Sequence, residues 1–246
     1  MERTLSGQVA IVTGGGSGLG EATCHALAAR GALVMVVDIN GANAERVASD
    51  VRARGGVASA ITADVRRVED AQAVAARALA AAGRIDILVN NAAIDHTVPI
   101  SRMTVEEWDE VIGVNLRGPF LFVKAVLPVM ERQGRGHIVN IASTAAKRAW
   151  SDAAAYHASK WGLVGFTRGL GVEGRRHNIK ATVIVPGGMR THFFDRFAGT
   201  DIPMPDEDKL QDPRHVAELI AFVVSHPEGS VIQEAIITPL LETSWP

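Results

Sequence analysis

The sequence predicts an α/β fold: a doubly wound parallel sheet of about seven strands with helices on both faces, folded as a single domain over residues 1–246. Three observations predict it. Short apolar runs rich in β-branched residues alternate along the chain with longer stretches of helical periodicity. Most of the short runs lack strict polar alternation, the pattern of strands buried on both faces. No Ser/Pro-rich linker, low-complexity tract or internal repeat breaks the 246 residues, a length able to bury one large sheet.

Taken in order, strands are expected at Val9–Val12, Leu33–Val37, Val57–Ile61, Ile85–Val89, His137–Ile141, Ala181–Val185 and Ala235–Ile237. Helices are expected between them at Leu19–Arg30, Ala42–Arg54, Val68–Ala82, Glu106–Arg132, Ala153–Arg176 and Arg214–Ser225. Thr104 followed by Glu107 has the spacing of a capping box at the start of the fourth helix. Gly31 and Gly83 stand where helices should stop. One irregular stretch, 187–213, is rich in Pro, Gly, Asp and Phe. A helix and a strand-like run follow it, so it reads as an excursion from the domain and not as a boundary.

Composition excludes several classes. A formal net charge of −2 without any run of Lys and Arg gives no footprint for nucleic acid or an acidic membrane surface. Cys24 is the single cysteine, so no intrachain disulfide can form, as suits a reducing compartment. The polar segment from Met1 to Gln8 does not read as a signal peptide, and no apolar stretch approaches the ~20 residues that span a bilayer. A soluble cytoplasmic protein is expected.

The first strand runs directly into Thr13-Gly14-Gly15-Gly16-Ser17-Gly18-Leu19-Gly20, and a helix follows. Glycines here permit positive φ and let backbone approach a pyrophosphate, while the helix start offers unpaired N–H groups to an anion. Gly14, Ser17, Gly18, Leu19 and Gly20 are the candidate cradle residues, with a glycine spacing one residue different from the commoner dinucleotide fingerprint. Eighteen residues beyond Gly20, Asp38 ends the second strand. A carboxylate there could accept from the adenosine ribose hydroxyls and would repel the 2′-phosphate of NADP. No Arg or Lys lies in the glycine loop or immediately after Asp38 to offset that repulsion. The plainer alternative is that Asp38 caps the helix near Asn40. Asp64, with Val65 beside it, ends the third strand and could contact the adenine, or serve as an ordinary turn residue.

Tyr156-His157-Ala158-Ser159-Lys160 contains the only tyrosine and one of few lysines. On a helix this spacing puts both side chains on one face, one turn apart. Such a pair suits a phenol made acidic by an ammonium. Lowering a tyrosine pKa from ~10 to ~7 takes ~4 kcal/mol, about what a cation ~4 Å away supplies at an effective dielectric of ~20. Ser143 follows the fifth strand at its carboxyl end, where open α/β sheets bind ligands, and could hydrogen-bond a substrate oxygen.

The chain resembles the short-chain dehydrogenase/reductase family through Thr13–Gly20, Asp64, Asn90-Asn91-Ala92, Asn115, Ser143, Tyr156 with Lys160, and Pro186-Gly187 followed by Thr191. These run in family order and cover most of the chain. The resemblance implies a Rossmann-like sheet, an NAD cofactor, and a homo-oligomer, tetramer or dimer. It implies that Tyr156 is the general acid in reduction and general base in oxidation. Lys160 would lower the Tyr156 pKa and bind the nicotinamide ribose, Ser143 would polarise the substrate oxygen, and Asn115 would position a water in a proton relay. Asn91 and Ala92 would support the central strand and cofactor edge, and Pro186, Gly187 and Thr191 would border the nicotinamide amide. Two departures stand out: Ala93 where glycine is usual, and Ile237-Thr238-Pro239-Leu240 in place of the usual Asp-Gly-Gly.

No His/Cys/Asp spacing resembles a metal site, so none is expected. His96 and His157 could lie near the cleft, and Lys147, Arg148 and Trp150 could touch substrate or form a plain surface loop. Phe193, Phe194, Phe197 and Met204 are many apolar groups for one loop. They fit either a lid over the nicotinamide end or a contact with a partner subunit. The expected activity is NAD-dependent hydride transfer between the cofactor and a small-molecule secondary alcohol or ketone. The alternatives are an NADPH-dependent ketoreductase, such as a 3-oxoacyl-carrier-protein reductase, and a non-catalytic dinucleotide-sensing protein on the same fold.

Overall fold

The computed structural model describes residues 4–197 and 206–242. Seven parallel strands form one sheet: β1 (Val9–Thr13), β2 (Leu33–Asp38), β3 (Val57–Thr62), β4 (Ile87–Asn90), β5 (Gly136–Ile141), β6 (Ile179–Pro186) and β7 (Glu234–Ile237). Their spatial order is β3-β2-β1-β4-β5-β6-β7. The chain winds outward from β1 to β3, then returns to pair β4 against β1 in register Ala10↔Ile87. The reversal between β1 and β4 opens a crevice at the carboxyl ends of these strands, where doubly wound sheets bind ligands.

The helices are α1 (Gly18–Ala29), α2 (Gly41–Ala53), α3 (Val68–Ala82), α4 (Val105–Ile112), α5 (Gly118–Gln133), α6 (Ala154–Gly174) and α7 (Pro213–Val224). On one face of the sheet, α1, α2 and α7 bury Leu27, Val47 and Ile220 against Val12, Val34 and Val36. On the other, α3, α5 and α6 bury Val74, Phe122 and Leu170 against Ile11, Met35 and Ile138. Both faces are covered, and β1 is buried throughout. The capping box at α4 is formed: Glu107 N–H donates to Thr104 Oγ1 at 3.1 Å, and Thr104 N–H to Glu107 Oε2 at 2.9 Å. Gly31 and Gly83 take positive φ at helix ends.

Four expectations are corrected. The fourth strand begins at Ile87, not Ile85, because the Gln133 side chain takes both backbone groups of Ile85, accepting at 2.9 Å and donating at 2.7 Å. The helix expected over Glu106–Arg132 is interrupted by a π-helical turn at Gly113–Arg117. The edge strands β3 and β7 are not buried on both faces, and Val57 is 58% exposed. Finally, the run Val105–Gln133 is long and apolar enough to cross a membrane by length and composition, with a mean hydropathy of 1.3 in its best window. Its apolar side, Phe122, Val126 and Met130, is packed against the sheet.

Between β6 and α7 the structure describes residues 187–197 and 206–212. A parallel bridge between Met189 and Gln211 ties the two ends of the excursion together, and a short 3₁₀ segment, His192–Phe197, lies between them. Met204 falls outside the described residues, as do 1–3 and the tail 243–246.

Candidate active site

The glycine-rich turn joins β1 to α1 at the crevice. Gly14 has φ +61°, and a Cβ there would lie 2.9 Å from Ala92 Cα. A Cβ on Gly20 would lie 1.9 Å from the Gly14 carbonyl oxygen, so any side chain at 20 would push the first turn of α1 off the loop. Asn91, at the end of β4, fastens the same turn: its Nδ2 donates to the carbonyls of Thr13 at 2.9 Å and Gly14 at 3.1 Å. Thr13 Oγ1 accepts from the backbone N–H groups of Asn91 and Ala92 at 3.0 and 3.2 Å. Ser17 occupies the N-cap position of α1 without a side-chain cap bond, which leaves early N–H groups of the helix available to an anion.

A cavity of about 450 Å³ runs from this turn along the carboxyl ends of the strands. Gly14, Ser17, Gly18, Leu19, Asp38, Asp64, Val65, Asn91, Ala92, Ser143, Tyr156, Lys160, Pro186 and Thr191 all line it. Gly20, Gly187 and Asn115 are not among the lining residues. Gly187 donates its N–H to Ile237 O at 2.8 Å and packs on Pro239, in the segment that replaces the usual Asp-Gly-Gly. The cradle, the strand-end carboxylate and the length of the crevice fit a nicotinamide dinucleotide.

At the outer end, Asp38 Oδ2 accepts from Gly16 N–H at 2.9 Å and Oδ1 from Asn40 N–H at 2.9 Å. The cap of α2 is the Asn40 side chain, which accepts from Ala42 and Asn43 N–H at 3.1 Å. Asp38 therefore braces the loop and the cap from beside them. Asp64 meets Arg66, whose Nε and Nη2 donate to its carboxylate at 3.0 and 2.7 Å, and the guanidinium holds that carboxyl below its usual range. Arg66 also reaches Glu110, which in turn meets His96 Nε2 at 2.9 Å.

At the inner end, α6 presents Tyr156 and Lys160 from its first two turns, both buried. Lys160 Nζ donates to Ile141 O at 2.9 Å and lies 5.5 Å from the Tyr156 ring centroid. Burial pushes the Lys160 ammonium down from 10.5 to about 7. Ser143 opens a 3₁₀ turn and its Oγ accepts from Ala145 N–H at 3.1 Å, leaving the hydroxyl proton available to a ligand oxygen. Phe193 stands over Tyr156 with ring centroids 5.6 Å apart, and Phe194 follows against Phe193.

Asn115 sits in the π-helical turn with both amide hydrogens engaged: Oδ1 accepts from Ile94 N–H at 2.9 Å, and Nδ2 donates to Ile94 O at 2.8 Å and Ser159 Oγ at 3.1 Å. It thus joins the loop after β4, the α4–α5 junction and α6. A π-turn at such a position is a common functional device.

Sequence reasoning missed three groups. Asn90 donates to Asn140, and Asn140 to Thr167, both at 2.8 Å, a buried polar ladder fixing α6 on β4 and β5. Arg46, from α2, donates to Gly16 O at 3.0 Å, placing on the glycine loop a cation that neither expected segment contains. Glu21, His25 and Asp50 bring ligand-type atoms within 4.8 Å of one another, a grouping invisible in chain spacing, but Arg46 already occupies Glu21. His157 braces its own loop, bonding Ala145 O at 2.9 Å and accepting from Trp150 N–H at 3.1 Å. Lys147 pairs with Glu234, and Arg148 with Glu242 at 3.3 Å.

The sequence profile described as short chain dehydrogenase matches residues 8–200. A 3-oxoacyl-[acyl-carrier-protein] reductase of Synechocystis sp. is 34% identical over 233 residues, covering 93% of each chain. A D-threitol dehydrogenase of Mycolicibacterium smegmatis is 38% identical over 182 residues, covering 74% of this chain and 70% of the relative. Among solved structures, a metagenomic short-chain oxidoreductase in complex with NADP superposes with a TM-score of 0.85 at 34% identity, covering 97% of this chain and all of the other.

Proposed function

The chain belongs to the short-chain dehydrogenase/reductase family, and from that premise we propose that it is an NAD-dependent oxidoreductase interconverting a secondary alcohol and a ketone. One observation carries the reading: Tyr156 and Lys160 are buried one helical turn apart in the same cavity that the glycine cradle opens into, beside Ser143.

The dinucleotide would supply the hydride-accepting or hydride-donating ring. The chain's residues handle position and proton. Gly14, Ser17, Gly18 and Leu19 would cradle the pyrophosphate, with Gly20 letting α1 approach. Asp38 would take the adenosine ribose, Asp64 and Val65 the adenine, and Asn91 and Ala92 the central stretch. Pro186, Gly187 and Thr191 would border the nicotinamide. Ser143 donates its hydroxyl proton to the substrate oxygen, and Tyr156 gives its phenolic proton to that oxygen in reduction or takes it in oxidation. Lys160 stabilises the phenolate. Asn115 acts as a positioning residue, holding Ile94 and Ser159 around the pair and lining up a water that replenishes the proton. Phe193 covers Tyr156 and Phe194 packs on Phe193, which supports reading the 187–213 stretch, in its described part, as a substrate-side cover.

Exposed apolar residues on two faces, Phe120 and Trp161 on α5 and α6, and Phe222 and Ile236 on α7 and β7, support a homo-oligomer. The lone buried Cys24 suits a cytoplasmic setting. A second reading, an NADPH-dependent ketoreductase, is favoured by Arg46 on Gly16 and by the NADP-bound neighbour. Initial rates with NAD, NADP and their reduced forms over a panel of alcohols and ketones decide between them. Turnover with NAD preferred is the expected result; preference for NADP overturns the cofactor assignment, and no turnover or cofactor binding overturns the enzyme reading.

A further inference from the structure

Two opposite charges hold Gly16. Its N–H donates to Asp38 Oδ2 at 2.9 Å, and its carbonyl accepts from Arg46 Nη2 at 3.0 Å. A guanidinium therefore stands one residue's width from the carboxylate that faces the outer end of the cavity. Asp38 and Ile39 line that cavity, whereas Arg46 and Glu21 do not. Arg46 is kept behind the loop by Glu21 in the first turn of α1. The grip is two-pronged: Nη1 donates to Oε1 at 2.8 Å and Nη2 to Oε2 at 2.7 Å. Asp50, one turn further along α2, adds a longer contact at 3.5 Å. The Arg46 side chain is 47% exposed, so solvent leaves it room to move if released. Fork-to-fork pairing fixes both distance and orientation, which a single contact would not.

A 2′-phosphorylated adenosine dinucleotide brings a dianion to the ribose edge that Asp38 faces, and it needs a cation there to be held. Among the described residues, Arg46 is the cation that hydrogen-bonds to the glycine-rich loop. We propose that Glu21 is a cofactor-selectivity residue: by holding Arg46 on both carboxylate oxygens it withholds that guanidinium from the ribose 2′ position, so Asp38 repels a 2′-phosphate unopposed. The proposal rests on Asp38 being the ribose-binding carboxylate.

Equilibrium binding of NADH and NADPH to the whole protein, followed by nicotinamide fluorescence, tests it in Glu21→Ala, Glu21→Gln and Glu21→Ala/Arg46→Ala beside the native chain. The ratio of the two affinities within each variant cancels any general loosening from the lost ion pair. One charge-assisted contact to phosphate should shift that ratio towards NADPH by about tenfold in Glu21→Ala. The shift should disappear in the double variant. The glutamine variant keeps the side-chain shape without its charge and serves if the alanine variant does not fold. An unchanged ratio in the folded Glu21 variants, or an equal shift in the double variant, overturns the proposal. Asp38→Ala separates the two ideas. If it shifts the ratio while the Glu21 variants do not, Glu21 alone is refuted; if it shifts nothing, the ribose assignment falls and this proposal with it.

Discussion

The Lys160 nitrogen lies 5.5 Å from the centroid of the Tyr156 ring while donating to the carbonyl of Ile141 at 2.9 Å. The end of β5 thus aims the lysine, and the helix places the phenol beneath it. Burial opposes the charge on Lys160, so the ammonium is only about half populated near pH 7 until an anionic partner forms.

Tyr156→Phe removes the transferable proton and preserves the ring against Phe193. Turnover should fall by about 10²–10⁴-fold, the range for loss of a general acid–base group, with NADH affinity little changed. Near-native turnover would refute the proton-transfer role.

Lys160 also sets a stability signature. The unfolded chain keeps this proton up to 10.5 and the folded chain only to about 7. More protons are bound in the unfolded state between those values, so stability rises with pH across that window, and the burial cost is full below pH 7. Lys160→Met should therefore raise Tm in the cofactor-free protein, by a margin worth up to about 5 kcal/mol below pH 7 that shrinks towards pH 10.5. A margin independent of pH would contradict this.

His137 has the same sign of pH dependence, in a more acidic window. Thr182 Oγ1 donates to Ile232 O at 2.6 Å, so it can only accept from His137 Nε2, which fixes the neutral ring with its proton on Nε2. Burial, then Lys180, push its pKa from 6.5 down to about 3. The folded pKa is depressed, so this stability is complete above 6.5 and is lost as pH falls towards 3. Urea unfolding should weaken across that range by up to about 5 kcal/mol, and His137→Gln should flatten the slope.

Asn115→Ala leaves Ile94 and Ser159 without their buried partner. Stability should drop by about 2–4 kcal/mol in chemical denaturation, because buried groups lose their hydrogen bonds. Loss of activity without any such drop would assign Asn115 to the relay alone.

Much of this was legible in the chain. The Tyr156–Lys160 face, the capping box at Thr104 and the glycine turn are local, and each was read from a spacing of seven residues or fewer. The parallel sheet followed from alternation and crossover handedness. Ile85 misled because its run is apolar, while a side chain distant in sequence, Gln133, takes its backbone. Asn140 and Thr167 sit in runs that read as apolar strand and helix, and Asn90 was read only as part of the Asn90-Asn91-Ala92 motif, so their buried ladder left no periodic signal.

The sequence by itself determined the sheet, through buried-strand patterning and crossover handedness, and the glycine turn and phenol–ammonium pair, whose neighbours local backbone geometry fixes. Only the tertiary structure decided that Arg46 reaches Gly16, that Glu21 restrains it, and that Asn115 ties Ile94 to Ser159. Those contacts depend on how α1, α2 and α6 settle against the sheet, a packing outcome that no residue spacing encodes.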